Sequence, residues 1–358
     1  MLTRSIGLLL VVTGALAGPL SERATCTDQR KIDACKAEIQ TIRSHKASDA
    51  ALIPLAANAT RSFYITPSEA NFITTPLINT GVTAETVGAE LVLLATLLNA
   101  DVPQGSDSYI VNKNGTVTSD FIQMRFEHLP EIFDVSNIDP DNNIITEADP
   151  VRTSSKRGNT LWHADGAYNP RRSGISIIRA VELPPKGTGG ETEYLDSRTA
   201  FEDLPQSKKQ EIKNYVGMNT LLWNRRQANP EMPEFDLDFT KVAMSKHPIS
   251  QIHEPTGRGN LYIGSYNHHI EGLPIAEGRR IIDDLMEHVT QEKYKFTVHW
   301  EQPGDIAFWD NTAVLHRATV GSYGEKYRRD MRRISTFDNS KWAYGANDPA
   351  TAKQVGLT

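Results

Sequence analysis

Alternation of apolar and polar residues is clearest late in the chain. Tyr294, Phe296, Val298 and Trp300 alternate with Lys295, Thr297 and His299, the pattern of a half-buried strand. Just before it, Ile281, Ile282, Leu285, Met286 and Val289 recur at three- and four-residue steps, which predicts a helix starting near Pro274. A further helix is expected over Pro205 to Val216. From Phe121 onward the other apolar runs are short. They end in turn sequences such as Asp139-Pro140-Asp141-Asn142, Pro184-Pro185-Lys186-Gly187 and Gln302-Pro303-Gly304-Asp305. Many short strands broken by turns predict a mainly β domain with flanking helices. A sandwich or barrel satisfies that pattern, and the double-sheet jelly roll is one such solution.

The N-terminal third reads differently. Ala84 to Asn99 has apolar residues on more than one face, as in a buried helix. Val102 to Asn114 is rich in Pro, Gly, Ser and Asp and reads as loop. Residues 1–18 carry Arg4, an apolar run from Ile6 to Ala17, and the small residues Ala15, Ala17 and Gly18. This is the layout of a secretory signal, too short for a comfortable membrane span. The alternative is an apolar segment that docks on the domain. No other stretch is apolar enough to cross a bilayer. The resulting division is a signal-like segment at 1–18, a region of unspecified fold at 19–120, a β domain at 121–345 and a tail at 346–358.

Cys26 and Cys35 are the only cysteines. One local disulfide would suit the oxidising compartment that a signal implies, and two free thiols would suit the cytoplasm. Asn58-Ala59-Thr60 and Asn114-Gly115-Thr116 match the glycosylation sequon. A net charge of -6 without a long basic run argues against a nucleic-acid partner. Small molecules are the expected partners, and a homo-oligomer is compatible with the composition.

The chemistry concentrates in a few positions. Three His-X-acid pairs occur, His163/Asp165, His269/Glu271 and His299/Glu301. Each would share one face of a strand, so spacing does not choose among them. Context favours the first, because Leu161-Trp162-His163-Ala164-Asp165 leads from an apolar stretch into a loop. His299 lies on the polar side of its strand. His268 and His269 would face opposite ways in a regular strand. His316 follows the apolar run Ile306 to Leu315. Two histidines and a carboxylate on one face of a metal leave coordination positions open, as in non-haem Fe(II) oxygenases. In the cluster Arg328, Arg329, Arg332 and Arg333, the second and fourth share a strand face about 13 Å apart. Each guanidinium can grip a planar oxyanion.

Four stretches in this order resemble the taurine dioxygenase / 2,4-dichlorophenoxyacetate dioxygenase family. They are Leu161 to Asp165, Gly189-Gly190-Glu191-Thr192 continuing to Ala200, Trp309-Asp310-Asn311 through His316-Arg317, and Arg328 to Arg333. The resemblance covers roughly Phe121 to Asp338. It implies a double-stranded β-helix, a cupin-like jelly-roll variant. It also implies Fe(II) held by His163, Asp165 and His316, with 2-oxoglutarate and O2 as cosubstrates. Thr192 and Arg329 would hold the distal carboxylate of 2-oxoglutarate. Arg333 would take an anionic group of the substrate, and His247 fits a substrate-pocket position. The expected reaction is hydroxylation of a small, anionic organic molecule with release of succinate and CO2. Two rival readings stand beside it. One is an oxygenase of a neutral secondary metabolite or purine, with Arg333 structural. The other is a non-catalytic, secreted jelly-roll binding protein.

Overall fold

In the computed structural model, residues 132–146 and 150–350 are described, together with the backbone of short strands at 9–13, 62–64, 103–104, 110–111 and 117–118. The expected helix at Ala84 to Asn99, both cysteines and both sequons lie outside the described residues. Two of the short strands fall within the stretch read as loop, at Pro103–Gln104 and Ile110–Val111.

The main sheet is antiparallel and seven-stranded. Its strands are β1 (Leu9–Thr13), β2 (Ser62–Tyr64), β3 (Pro103–Gln104), β4 (Phe133–Asp134), β5 (Ser173–Glu182), β13 (Asp305–Asp310) and β15 (Asp330–Phe337), ordered β2-β1-β13-β5-β15-β3 with β4 also on β15. The apolar run that reads as a signal thus supplies β1, which pairs along β13 from Leu10 opposite Phe308 to Thr13 opposite Asp305.

A second sheet orders β12 (Lys295–Val298), β6 (Thr192–Asp196) and β14 (Val314–Ala318) as β12-β6-β14. Its strand β12 is the one marked by alternation. The side chains of Ile178, Ala180, Ala307, Trp309 and Met331 from the main sheet meet Tyr194 and Val298 from the second in one buried cluster. Two antiparallel sheets facing across an apolar layer make the expected double-sheet arrangement.

Three smaller pieces complete the wall around this core. β7 (Val216–Asn219) lies between β8 (Ser245–Pro248) and β11 (Asn267–Ile270). β9 (Ser250–His253) pairs with β10 (Arg258–Leu261). Among the described residues, five α-helices flank the sheets: α1 (Pro150–Gly158), α2 (Ser197–Asp203), α3 (Gln206–Ile212), α4 (Leu221–Ala228) and α5 (Ile275–Val289). α3 and α5 are the two expected helices that fall among the described residues. α5 buries Ile281, Ile282, Leu285 and Val289, the predicted stripe, in the larger apolar cluster. α2 starts where Asp196 Oδ1 accepts the N–H groups of Arg198 and Thr199, satisfying donors that the first turn leaves open.

Candidate metal centre

The run Ile306 to Leu315 is not one strand. Asp310 Oδ1 accepts the Thr312 N–H at 2.8 Å and the Thr312 hydroxyl at 2.6 Å, turning the chain out of the main sheet. The chain then enters the second sheet as β14, and His316 crosses to the far side of the core. There its backbone pairs with His163 as an isolated bridge, with N–H to O distances of 2.9 and 3.1 Å in the two directions. Backbone thus joins two of the three candidate ligands directly. Asp165 follows in the turn after His163.

The side chains of His163, Asp165 and His316 are all buried, and one ligand atom of each lies within 4.8 Å of the others. Asp165 Oδ1 stands 3.8 Å from His163 Nε2, and Oδ2 stands 3.6 Å from His316 Nε2. His163 Nδ1 faces the carbonyl of Leu161 at 2.7 Å. Donation there leaves the Nε2 lone pair free toward the cluster. Burial pushes the pKa of both imidazoles down, against the pull of Asp165. Burial pushes Asp165 up, but Arg333, His316, His163 and the Ser176 hydroxyl outweigh it and hold the carboxyl at about 2. Two neutral imidazoles and one carboxylate converging on a point form a donor set that fits a ferrous ion.

Ser176, Ser335 and Asn311 fix the carboxylate. Ser176 Oγ donates to Asp165 Oδ2 at 2.9 Å, and Asn311 Nδ2 donates to Ser176 Oγ at 2.7 Å. With its proton committed to Asp165, Ser176 accepts from the Ser335 hydroxyl at 2.7 Å. Asn311 Oδ1 accepts the Asp165 N–H at 3.1 Å and the Trp309 indole N–H at 2.9 Å. Trp309 in turn packs against the His316 ring, 4.8 Å between centroids. The Asn311 signal was present in Trp309-Asp310-Asn311, whereas Ser176 and Ser335 sit in ordinary strand sequence.

Arg329 approaches the chain at Gly190, two residues before Thr192. On β6, Tyr194 lies opposite His316 and Thr192 opposite Ala318, so alternation puts Thr192 and Tyr194 on the face of His316. The Thr192 hydroxyl accepts the Trp300 indole N–H at 3.4 Å. Arg329 is buried, and its Nη2 donates to the carbonyl of Gly190 at 3.0 Å. Its Nε has no hydrogen-bond partner. Burial lowers its pKa against the opposing influence of Tyr323 and the Glu191 carboxylate, and no carboxylate of the described residues comes within ion-pair distance of it. The close approach needs Gly190: at φ 95° a Cβ there would stand 3.1 Å from Arg329 Nε. A buried guanidinium with an unpaired donor suits a carboxylate.

Arg333 reaches the cluster itself. Nη1 donates to Asp165 Oδ1 at 2.8 Å, the guanidinium lies 4.7 Å over the Phe133 ring, and Nε has no partner. His247 is fully buried on β8, with Nε2 facing the Asn169 carbonyl at 2.9 Å, and burial pushes its pKa down to about 3. It packs on Tyr262 rather than on a triad residue. Tyr266 instead lines the centre, edge-on to His163 at 5.7 Å between centroids.

His268 and His269 do not face apart. A register shift between Asn267 and His269 bulges β11 and brings the two Nδ1 atoms to 2.9 Å. His299 is exposed, as its strand pattern implies.

Residues 110–335 match the family model described as "Taurine catabolism dioxygenase TauD, TfdA family". The chain belongs to that family. Family members depend on Fe(II) and 2-oxoglutarate, and the chain is an oxidoreductase of the α-ketoglutarate-dependent dioxygenase type. An alpha-ketoglutarate-dependent 2,4-dichlorophenoxyacetate dioxygenase of Burkholderia sp. (strain RASC) is 34% identical over 220 residues, 59% of this chain and 69% of that protein. Pentalenolactone F synthase of Streptomyces arenae is 27% identical over 232 residues, 60% and 76% of the two chains. The crystal structure of AAD-2 in complex with Mn(II) and N-oxalylglycine superposes with a TM-score of 0.56 at 24% identity, covering 74% of this chain and 84% of that one. The family fold is the jelly roll, as expected from the sequence. Among the described residues no helix is long and apolar enough to cross a membrane.

Proposed function

We propose that His163, Asp165 and His316 hold the ferrous ion of this TauD/TfdA-family dioxygenase, that Thr192 and Arg329 hold the distal carboxylate of 2-oxoglutarate, and that the enzyme hydroxylates a small organic anion received by Arg333. The observation that carries this is the buried triad, whose three ligand atoms lie within 4.8 Å of one another. When bound, the iron and 2-oxoglutarate together supply the oxidising power, with succinate and CO2 as by-products. The chain's own residues do the rest. Ser176 and Asn311 orient Asp165. Leu161 orients His163 through its carbonyl. The apolar layer of Trp309 and Tyr194 against His316 keeps bulk water from that side. Arg333, with Nε unpartnered, has a donor to offer an anion even while Nη1 is on Asp165.

A neutral substrate is the second reading, favoured by that same Arg333–Asp165 pair, which already balances the guanidinium's charge. One experiment tests both. Protein loaded with Fe(II) is given 2-oxoglutarate and either a small carboxylate or its primary amide, and succinate is measured. Anion-dependent succinate release, lost in Asp165→Ala at limiting iron, is expected. Equal release with the amide would assign Arg333 to the support of Asp165 alone.

A further inference from the structure

Tyr194 carries a hydroxyl that the fold does not use. The side chain is fully buried on β6, and its phenolic oxygen has no hydrogen-bond partner. The ring alone accounts for the packing. It stacks between the two residues opposite it in the register, Phe296 on β12 at 5.3 Å and His316 on β14 at 6.1 Å between centroids. Trp309 from the main sheet meets it edge-on at 5.6 Å. Phenylalanine would make the same ring contacts. A buried hydroxyl with nothing to bond is unfavourable, so the extra oxygen calls for a partner that the chain itself does not supply.

The surroundings show where that partner lies. Tyr194 stands level with the metal ligand His316, whereas Thr192 stands level with Ala318 and is two residues nearer along the strand to Gly190, whose carbonyl holds Arg329. Tyr194 also shares a buried cluster with Met331, the residue midway along the chain between Arg329 and Arg333. The charges of Asp165, Arg333 and Arg329 all act on the hydroxyl. Arg329 Nε and Arg333 Nε likewise have no partner. Burial and the Asp165 carboxylate push the phenol's pKa up, against the two arginines, so at neutral pH the group keeps its proton and can donate it.

We propose that the Tyr194 hydroxyl donates a hydrogen bond to 2-oxoglutarate at the carboxylate beside its keto group, the end that meets the metal. Arg329 then grips the far carboxylate, and Tyr194, level with His316, steadies the near one. This rests on the function proposed above and adds a residue to its cosubstrate site.

Tyr194→Phe removes the oxygen and keeps the ring. Calorimetry first measures 2-oxoglutarate binding to wild-type protein loaded with Mn(II), and no binding there would sink the function on which the proposal rests. The variant is then expected to bind 2-oxoglutarate at least about tenfold more weakly, the scale of a hydrogen bond to a charged acceptor. Without metal or cosubstrate its thermal midpoint should equal or exceed that of wild type, because no bond within the fold is lost. Under anaerobic conditions, Fe(II) protein with 2-oxoglutarate should show a charge-transfer band that is shifted in the variant, because the bond acts on the chelating end. A smaller loss of affinity would overturn the proposal. So would a lowered midpoint in the ligand-free variant, which would give the hydroxyl a partner within the fold. Weakened binding with an unmoved band would also overturn it, placing the bond on the far carboxylate.

Discussion

Replacing Ser176 with alanine tests how the metal ligand is held. Its hydroxyl is fully buried and touches three groups: Asp165 Oδ2 at 2.9 Å, Asn311 Nδ2 at 2.7 Å and Ser335 Oγ at 2.7 Å. No water replaces it without space. Ser176→Ala removes a hydrogen bond to a charged acceptor, about 1.5–3 kcal/mol, and strands the Asn311 donor. The carboxylate then keeps Arg333 on Oδ1 but loses its guide on Oδ2. The expected result is a weakening of metal binding by about 10–100-fold, the usual effect of losing such a supporting contact. That range corresponds to about 1.4–2.8 kcal/mol, in agreement with the hydrogen-bond figure. Titrating Mn(II) into the metal-free protein, followed by the spectrum of free Mn(II), measures it directly. Ser335→Ala removes only a donor to Ser176 and should cost less. A dissociation constant within twofold of wild type in Ser176→Ala, with the fold intact, would refute the idea that this hydroxyl orients Asp165.

Other expectations follow from single residues. Arg329→Ala should raise the 2-oxoglutarate KM at least about tenfold, since the guanidinium has only carbonyl partners of its own, and an unchanged KM would move the role to another cation. Gly189→Ala should lower the thermal midpoint and 2-oxoglutarate affinity together, because φ is 94° and the new Cβ would stand 2.5 Å from Gly321 Cα; a variant as stable as wild type would contradict this packing. Asp305 is a pH lever: burial raises its pKa to about 6, against about 3.9 in the unfolded chain. The folded state therefore binds the extra proton, so this stabilisation is present at low pH and is lost as pH rises through about 6, a swing of about 3 kcal/mol. Denaturation of wild type and Asp305→Asn at pH 4.5 and 7.5 should show about 2 kcal/mol of that swing, since part is already lost at pH 4.5, and parallel pH profiles would refute it.

What the sequence revealed depended on how local each signal was. β12 and α5 were legible because alternation and a three-to-four stripe are properties of a few neighbouring residues. The triad was legible because Leu161 to Asp165 and the run to His316 match a family in order. The Ser176–Ser335 contact was not, since it depends on β5 pairing with β15 in the register that puts those two residues opposite each other. The Arg333–Asp165 pair was missed for a related reason: periodicity assigns a side chain to a face but names no partner across it. The His268/His269 contact was misjudged because a bulge is invisible to a period-two rule. Residues 1–18 were ambiguous because one apolar run serves a signal or a strand equally well.

The bridge between His163 and His316 has a consequence for folding. These two residues meet only when a late strand closes against an early segment, so the centre does not exist in any partly assembled chain. A metal that binds there recognises the finished topology and nothing before it. By mass action its whole binding free energy is then added to the native state, about 2.7 kcal/mol at a hundredfold excess over the dissociation constant. The ion would act as a latch on one of the long-range contacts of the domain. Iron supply would then set how long the folded protein survives as well as how fast it turns over.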